Sequence, residues 1–198
     1  NNSISELLDQ SFANNTQLKV LNLSNNQIKL IKKQAFEKLT NLEKLDLSGN
    51  GLKSEVDLFV DETNEDLILM QQKNLKILRL SNNKIKKTYK LRNTINFINF
   101  LGQSFPKLIE LDLYKNKLDS IGESDFKGFT EMKKLNIGFN EIDRISPHAF
   151  AHLTNLNDLD LSRNKLTSIN LVELTTFAGT PEKEVKKRLI KFKNLDLS

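Results

Sequence analysis

His148 and His152 are the only histidines in the 198-residue chain and stand four residues apart, a spacing that puts two imidazoles on one face of a helix and can hold a zinc ion. A zinc hydrolase built this way needs a glutamate directly after its first histidine, and residue 149 is alanine. The stretch also repeats the frame of Glu37 to Asn41, so the pair reads as two solvent-facing side chains and no metal is expected. Cysteine is absent, which excludes a thiolate nucleophile, a thiolate metal site and a disulfide framework. No glycine-rich phosphate loop and no Gly-x-Ser-x-Gly nucleophile turn occurs, so neither catalysis nor a cofactor is expected. Binding is better served: Arg79, Tyr114, Lys115 and Phe139 are residue types suited to an interface, where exposed aromatics and arginine carry much of the energy.

What positions those four is a recurrent spacing. Leu42, Leu45, Leu47, Asn50 and Leu52 follow the pattern L-x-x-L-x-L-x-x-N-x-L, and complete copies also begin at Leu18, Leu75, Leu108, Met132 and Leu156. The steps between copies are 24, 33, 33, 24 and 24 residues, with partial copies over 1–17 and 192–198. In each Leu-x-Leu pair a period of two puts both leucines on one face of a short strand. The asparagines (Asn26, Asn50, Asn83, Asn116, Asn140, Asn164) stand where the chain turns inward, and their amides can bond backbone groups in that turn. An unsatisfied buried polar group costs roughly 1–3 kcal/mol, so this column reads as scaffold.

Residues between the leucines face the other way and form columns. One runs Asn22, Asp46, Arg79, Asp112, Asn136, Asp160, Asp196, and the next runs Ser24, Ser48, Ser81, Tyr114, Gly138, Ser162, Ser198. Asp and Ser are the repeating filler and specify little. Arg79, Tyr114, Lys115 and Phe139 break it on three consecutive strands, so they are expected to be neighbours. The plainer reading is that Phe139 packs on Tyr114 and serves only the surface.

Over nearly the whole chain the pattern resembles the leucine-rich repeat family. The 24-residue copies carry I-x-x-x-A-F-x-x-L-T-N-L at Ile31 to Leu42 and Ile145 to Leu156, and Phe12, Phe36, Phe126 and Phe150 share one register, where aromatic rings can stack into a spine on the convex side. This is similar to the subclass typical of extracellular animal proteins, and the mixture of 24-residue and longer copies resembles Toll-like receptor ectodomains in particular. The resemblance implies a curved α/β solenoid, a single array over 1–198, with short parallel strands on its concave face and loops or short helices on its convex face. It also implies recognition of a protein ligand or co-receptor, or of a second copy, on the concave or lateral surface of an innate-immune receptor ectodomain. Such a protein is extracellular or membrane-anchored, and would meet the membrane only through segments outside this chain.

The longer copies hold inserts. Leu91, Ile95, Ile98 and Leu101 keep helical spacing, with Phe97 and Phe100 widening the stripe. In the last insert Thr180 can cap a helix opened by Pro181, with Glu182 and Glu184 early, Lys186, Lys187 and Arg188 late, and Val185, Leu189 and Phe192 facing inward. Val56 to Met70 holds two apolar clusters split by acids and is expected to protrude. The chain opens and closes part-way through a copy, which is expected of an uncapped slice of a longer protein, because end coils otherwise expose their apolar layer. Sequons at Asn1, Asn14 and Asn22 fit a glycosylated extracellular protein. A formal net charge of +5 and pI near 9.2 permit nucleic acid as a partner, although no basic stripe appears. The alternative reading is a cytoplasmic scaffold, or the substrate-selecting region of a larger enzyme such as a ligase or phosphatase.

Overall fold

The structure, a computed structural model, describes residues 2–32, 34–53, 72–86, 96–176, 181–183 and 194–198. The strands are β1 (Glu6–Leu7), β2 (Val20–Asn22), β3 (Leu30–Ile31), β4 (Lys44–Asp46), β5 (Ile77–Arg79), β6 (Glu110–Asp112), β7 (Ser120–Ile121), β8 (Lys134–Asn136), β9 (Arg144–Ile145), β10 (Asp158–Asp160) and β11 (Asn194–Asp196), with helices α1 (Phe97–Ser104) and α2 (Leu171–Thr175). Seven of these strands, β2, β4, β5, β6, β8, β10 and β11, form one open parallel sheet in sequence order, and β1–β3 and β7–β9 form two small parallel pairs. The register follows the repeat: Leu21 pairs with Leu45, Leu45 with Leu78, Leu78 with Leu111, Leu111 with Leu135, and Leu135 with Leu159. The expected solenoid with a parallel-stranded concave face is thus the observed fold.

Strands β4, β5, β6, β8 and β10 each bury their central leucine while the two flanking residues stay at least partly exposed, as in Lys44, Leu45 and Asp46. The second leucine of the pair, such as Leu47, Leu80 or Leu113, is fully buried as well. A coil of 24 residues buries one apolar layer that it cannot cover alone, so stacking supplies the core.

The asparagine column staples neighbouring coils. Asn116 Nδ2 donates to Leu113 O (3.0 Å) in its own turn and to Leu80 O (3.0 Å) in the preceding coil, and its Oδ1 accepts the preceding coil's Ile85 amide at 3.0 Å. Asn50 and Asn140 repeat the scheme. Beyond the expected bonds within each turn, these amides also bond from coil to coil. A second ladder uses the Asn of Thr-Asn-Leu: Asn41 Nδ2 donates to Thr16 O and Asn155 Nδ2 to Thr130 O.

The Asp filler also has work in the backbone. The side-chain oxygens of Asn22, Asp46, Asp112, Asn136, Asp160 and Asp196 each accept the amide two residues on, at 2.9–3.1 Å. These are Asx turns, which a short side-chain acceptor makes possible. Arg79 has no acceptor and breaks the series.

On the convex side Phe12 stacks on Phe36 at 5.9 Å and Phe126 meets Phe150 at 5.6 Å, as their register implies. Helix α1 differs from the expected Leu91 to Leu101. Asn96 is its N-cap, with extended backbone and its side chain accepting from the Asn99 amide, so the helix begins at Phe97 and runs on to Ser104. It stops before Pro106 because the residue preceding a proline is disfavoured in helical geometry, and Phe105 is non-helical. Helix α2 was not anticipated; Asn170 caps it by accepting from the Glu173 amide. Leu91 and Ile95, the stretch Val56 to Met70, and most of the last insert, including Thr180, Glu184, Val185, Lys186, Lys187, Arg188, Leu189 and Phe192, lie outside the described residues.

Candidate functional site

The concave face of the sheet holds an open groove of about 1000 Å³. Its lining carries six carboxylates (Asp46, Glu110, Asp112, Asp158, Asp160, Asp196) against two cations, Arg79 and Lys134. The groove of a chain with net charge +5 is therefore acidic. Arg79 projects from the end of β5 and is claimed by β6: both Nε (3.1 Å) and Nη2 (2.9 Å) donate to Glu110 Oε1. This hydrogen bond holds the guanidinium pKa above its ordinary value. Burial raises the Asp112 carboxyl pKa, opposed by the Tyr114 amide bond. Asp160 Oδ1 accepts from both the amide and the hydroxyl of Ser162. It also explains Gly138, since a Cβ there would lie 2.7 Å from that oxygen.

Beyond one edge of the sheet runs a second feature. The residue before each column asparagine has a left-handed backbone: Asn25 (φ 54°), Gly49 (65°), Asn82 (53°), Lys115 (53°), Phe139 (52°) and Arg163 (54°). Coil-to-coil bonds enforce this, since Asn25, Gly49, Asn82, Lys115 and Phe139 donate their amides to the carbonyls of Ser48, Ser81, Tyr114, Gly138 and Ser162. Asparagine and glycine adopt this conformation readily, whereas for other L-residues it costs roughly 1–2 kcal/mol. The first three coils use the permissive residues, and the next three place Lys, Phe and Arg there.

Those three side chains gather round one ring. Lys115 Nζ and Arg163 Cζ each lie over Phe139, 5.9 Å from its centroid. Tyr114 lies against it with centroids 5.8 Å apart and planes tilted by 46°. Despite these neighbours Phe139 is 40% exposed. Among the described residues no ion pair involves Lys115 or Arg163, while Lys117 and Lys165, two positions further on in their coils, flank Glu141 at 2.8 and 3.7 Å.

The four residues expected to be neighbours therefore divide. Tyr114, Lys115 and Phe139 form one cluster; Arg79 lines the groove and is engaged with Glu110, because alternate strand positions and the turn beyond them face different ways. Phe139 both packs on Tyr114 and remains exposed, so the two readings of it are not exclusive. Arg163 was missed. Its signal was its place in register with Lys115 and Phe139, one residue before Asn164.

His148 does not belong to a solvent-facing pair. It lies in a turn and not in a helix, its Nδ1 meets Thr176 O, and its amide donates to Glu173 O at 2.8 Å, tying its coil to α2. His152 is partly buried, which lowers its pKa. Of the sequons, Asn14 is exposed in a turn, Asn22 stands on β2 with its side chain in an Asx turn, and Asn1 lies outside the described residues.

The architecture is that of a parallel-stranded solenoid with a display surface on its concave side and one edge. The chain belongs to the leucine rich repeat family, whose model matches residues 1–52, 106–166 and 130–178. Among solved structures it is similar to a TLR13 chain in the crystal structure of a TLR13–ssRNA13 complex, with a TM-score of 0.75 and 23% identity. That likeness covers 99% of this chain and 28% of the TLR13 chain, and it shows a shared fold. No curated protein sequence matches the chain.

Proposed function

We propose that this array is a non-catalytic recognition module from the ectodomain of a Toll-like or related innate-immune receptor, and that it binds a protein through the edge built by Tyr114, Lys115 and Phe139, with Arg79 engaged in the adjoining groove. The observation that carries the reading is Phe139: an exposed aromatic, held in a strained backbone conformation, at a position where earlier coils use Asn or Gly. Strain of this kind persists where the surrounding structure enforces it and is characteristic of ligand contacts. Stacked coils hold such residues in place before a partner arrives, which reduces the ordering cost of association. In this reading the module is extracellular, and the sequons Asn1, Asn14 and Asn22 carry glycans.

The test is selection of a displayed library of extracellular protein fragments against the immobilised chain. Ligands should be enriched whose capture falls at least about tenfold, or 1.4 kcal/mol, on Arg79→Ala/Tyr114→Ala/Phe139→Ala at an unchanged melting temperature. Enriched ligands indifferent to that variant would contradict the assigned contacts. A nucleic-acid reading is supported by the net charge of +5 and opposed by the acidic groove lining; it requires binding of single-stranded RNA that falls steeply with salt.

A further inference from the structure

We infer that the row Lys115, Phe139 and Arg163 is a docking edge for an acidic protein segment that carries an apolar anchor. The inference rests on the recognition reading above and names its partner's chemistry. Three observations converge. The row holds three non-glycine, non-asparagine residues at positive φ at one equivalent position of consecutive coils. Its two cations lie over the ring of Phe139; among the described residues neither has a carboxylate within salt-bridge distance, and Arg163 acts only at longer range on Asp196. The exposed side chains two positions further on add Lys117 and Lys165 against the single acid Glu141, so the whole flank is basic. The matching positions of the first three coils, Asn25, Gln27, Gly49, Gly51, Asn82 and Lys84, hold one cation.

The chemistry selects protein over nucleic acid. Single-strand binders offer open aromatic faces on which bases stack, but here the ring already has Lys115, Arg163 and Tyr114 against it. What remains is an apolar ring edge between two positive groups, which suits an aliphatic or aromatic side chain flanked by carboxylates. The acidic groove beside the row also opposes a continuous polyanion, whereas a segment with a few placed acids can contact the edge and avoid the floor. Charge complementarity of this kind fixes register and speeds encounter.

The experiment selects a random displayed peptide library against the full 198-residue chain and against Lys115→Asn/Phe139→Asn/Arg163→Asn, which copies the asparagine used at positions 25 and 82. Asparagine tolerates the left-handed backbone, so the variant is expected to melt at the same temperature as the parent or higher. Enriched peptides should be rich in Asp and Glu around an apolar residue, and their capture should fall at least tenfold on the variant. Enrichment of neutral or basic peptides whose capture still falls on the variant overturns the acidic partner and leaves the recognition reading standing, whereas capture indifferent to the variant overturns the edge in both. Failure to enrich any peptide above the bare support contradicts both. A uridine 20-mer that binds the parent and loses affinity on the variant replaces the acidic protein with nucleic acid and overturns the inference.

Discussion

The first three complete coils and the three that follow share strands, register and asparagine ladder, yet treat the same left-handed corner in opposite ways. At Asn25, Gly49 and Asn82 the residue suits the backbone; at Lys115, Phe139 and Arg163 it does not. The comparison separates scaffold from display. Positions that close a coil are filled alike in both halves because any other residue leaves backbone groups unpaired. Positions that stability does not dictate differ, and there the second half carries an aromatic ring and its cations.

The largest expected effect tests whether the ladder is truly shared. Asn140→Ala removes the acceptor for the Leu118 amide and a donor to Leu113 O, and should cost about 3 kcal/mol; Asn50→Ala, only partly buried, should cost somewhat less. Urea denaturation measures both, and a ladder that matters in one half alone would break the comparison. Next comes the corner itself. Asn82→Phe should destabilise by about 1–2 kcal/mol, because Ser81 replaces Tyr114 as its neighbour. Phe139→Asn should change stability by less than about 1 kcal/mol, since relief of strain offsets the lost aromatic and cation contacts.

A smaller effect concerns pH. Burial raises the Asp112 pKa above 3.8, so between its unfolded and folded pKa values the native state binds more protons, and stability contributed by this group falls as pH rises. Asp112→Asn keeps an acceptor for the Tyr114 amide, as Asn136 does for Gly138. The variant should match or exceed the parent in melting temperature at pH 7, and lose that advantage as pH is lowered through the raised Asp112 pKa towards 3.8. Smallest of all, Glu43→Gln and Glu141→Gln break exposed ladders between Lys19 and Lys76 and between Lys117 and Lys165, and should shift melting little in either half at physiological salt.

The fold was legible because a 24-residue repeat states its register many times over. Leu21, Leu45, Leu78, Leu111, Leu135 and Leu159 occupy equivalent strand positions in the sequence and pair in that order in the sheet. Helix limits were less legible, because Asn96 overrides an apolar stripe that begins at Leu91. Tyr114, Lys115 and Phe139 were visible as departures from filler. Their separation from Arg79 was not, since column order fixes which residues are adjacent along the sheet and leaves open which of them an acid such as Glu110 captures. The strain at the row was also hidden: backbone dihedrals are not written in the Lys-Asn, Phe-Asn and Arg-Asn pairs until the coil is closed.

The central claim is that the second half binds at its edge and not on its groove floor. An amide chemical-shift map, recorded while an acid-rich peptide from the selection is titrated into the chain, tests this most directly. The account predicts saturable shifts centred on Tyr114, Lys115, Phe139 and Arg163, with Asn25, Gly49 and Asn82 unmoved. Shifts centred instead on Asp46, Arg79, Asp112 and Asp160, with the edge silent, would contradict it.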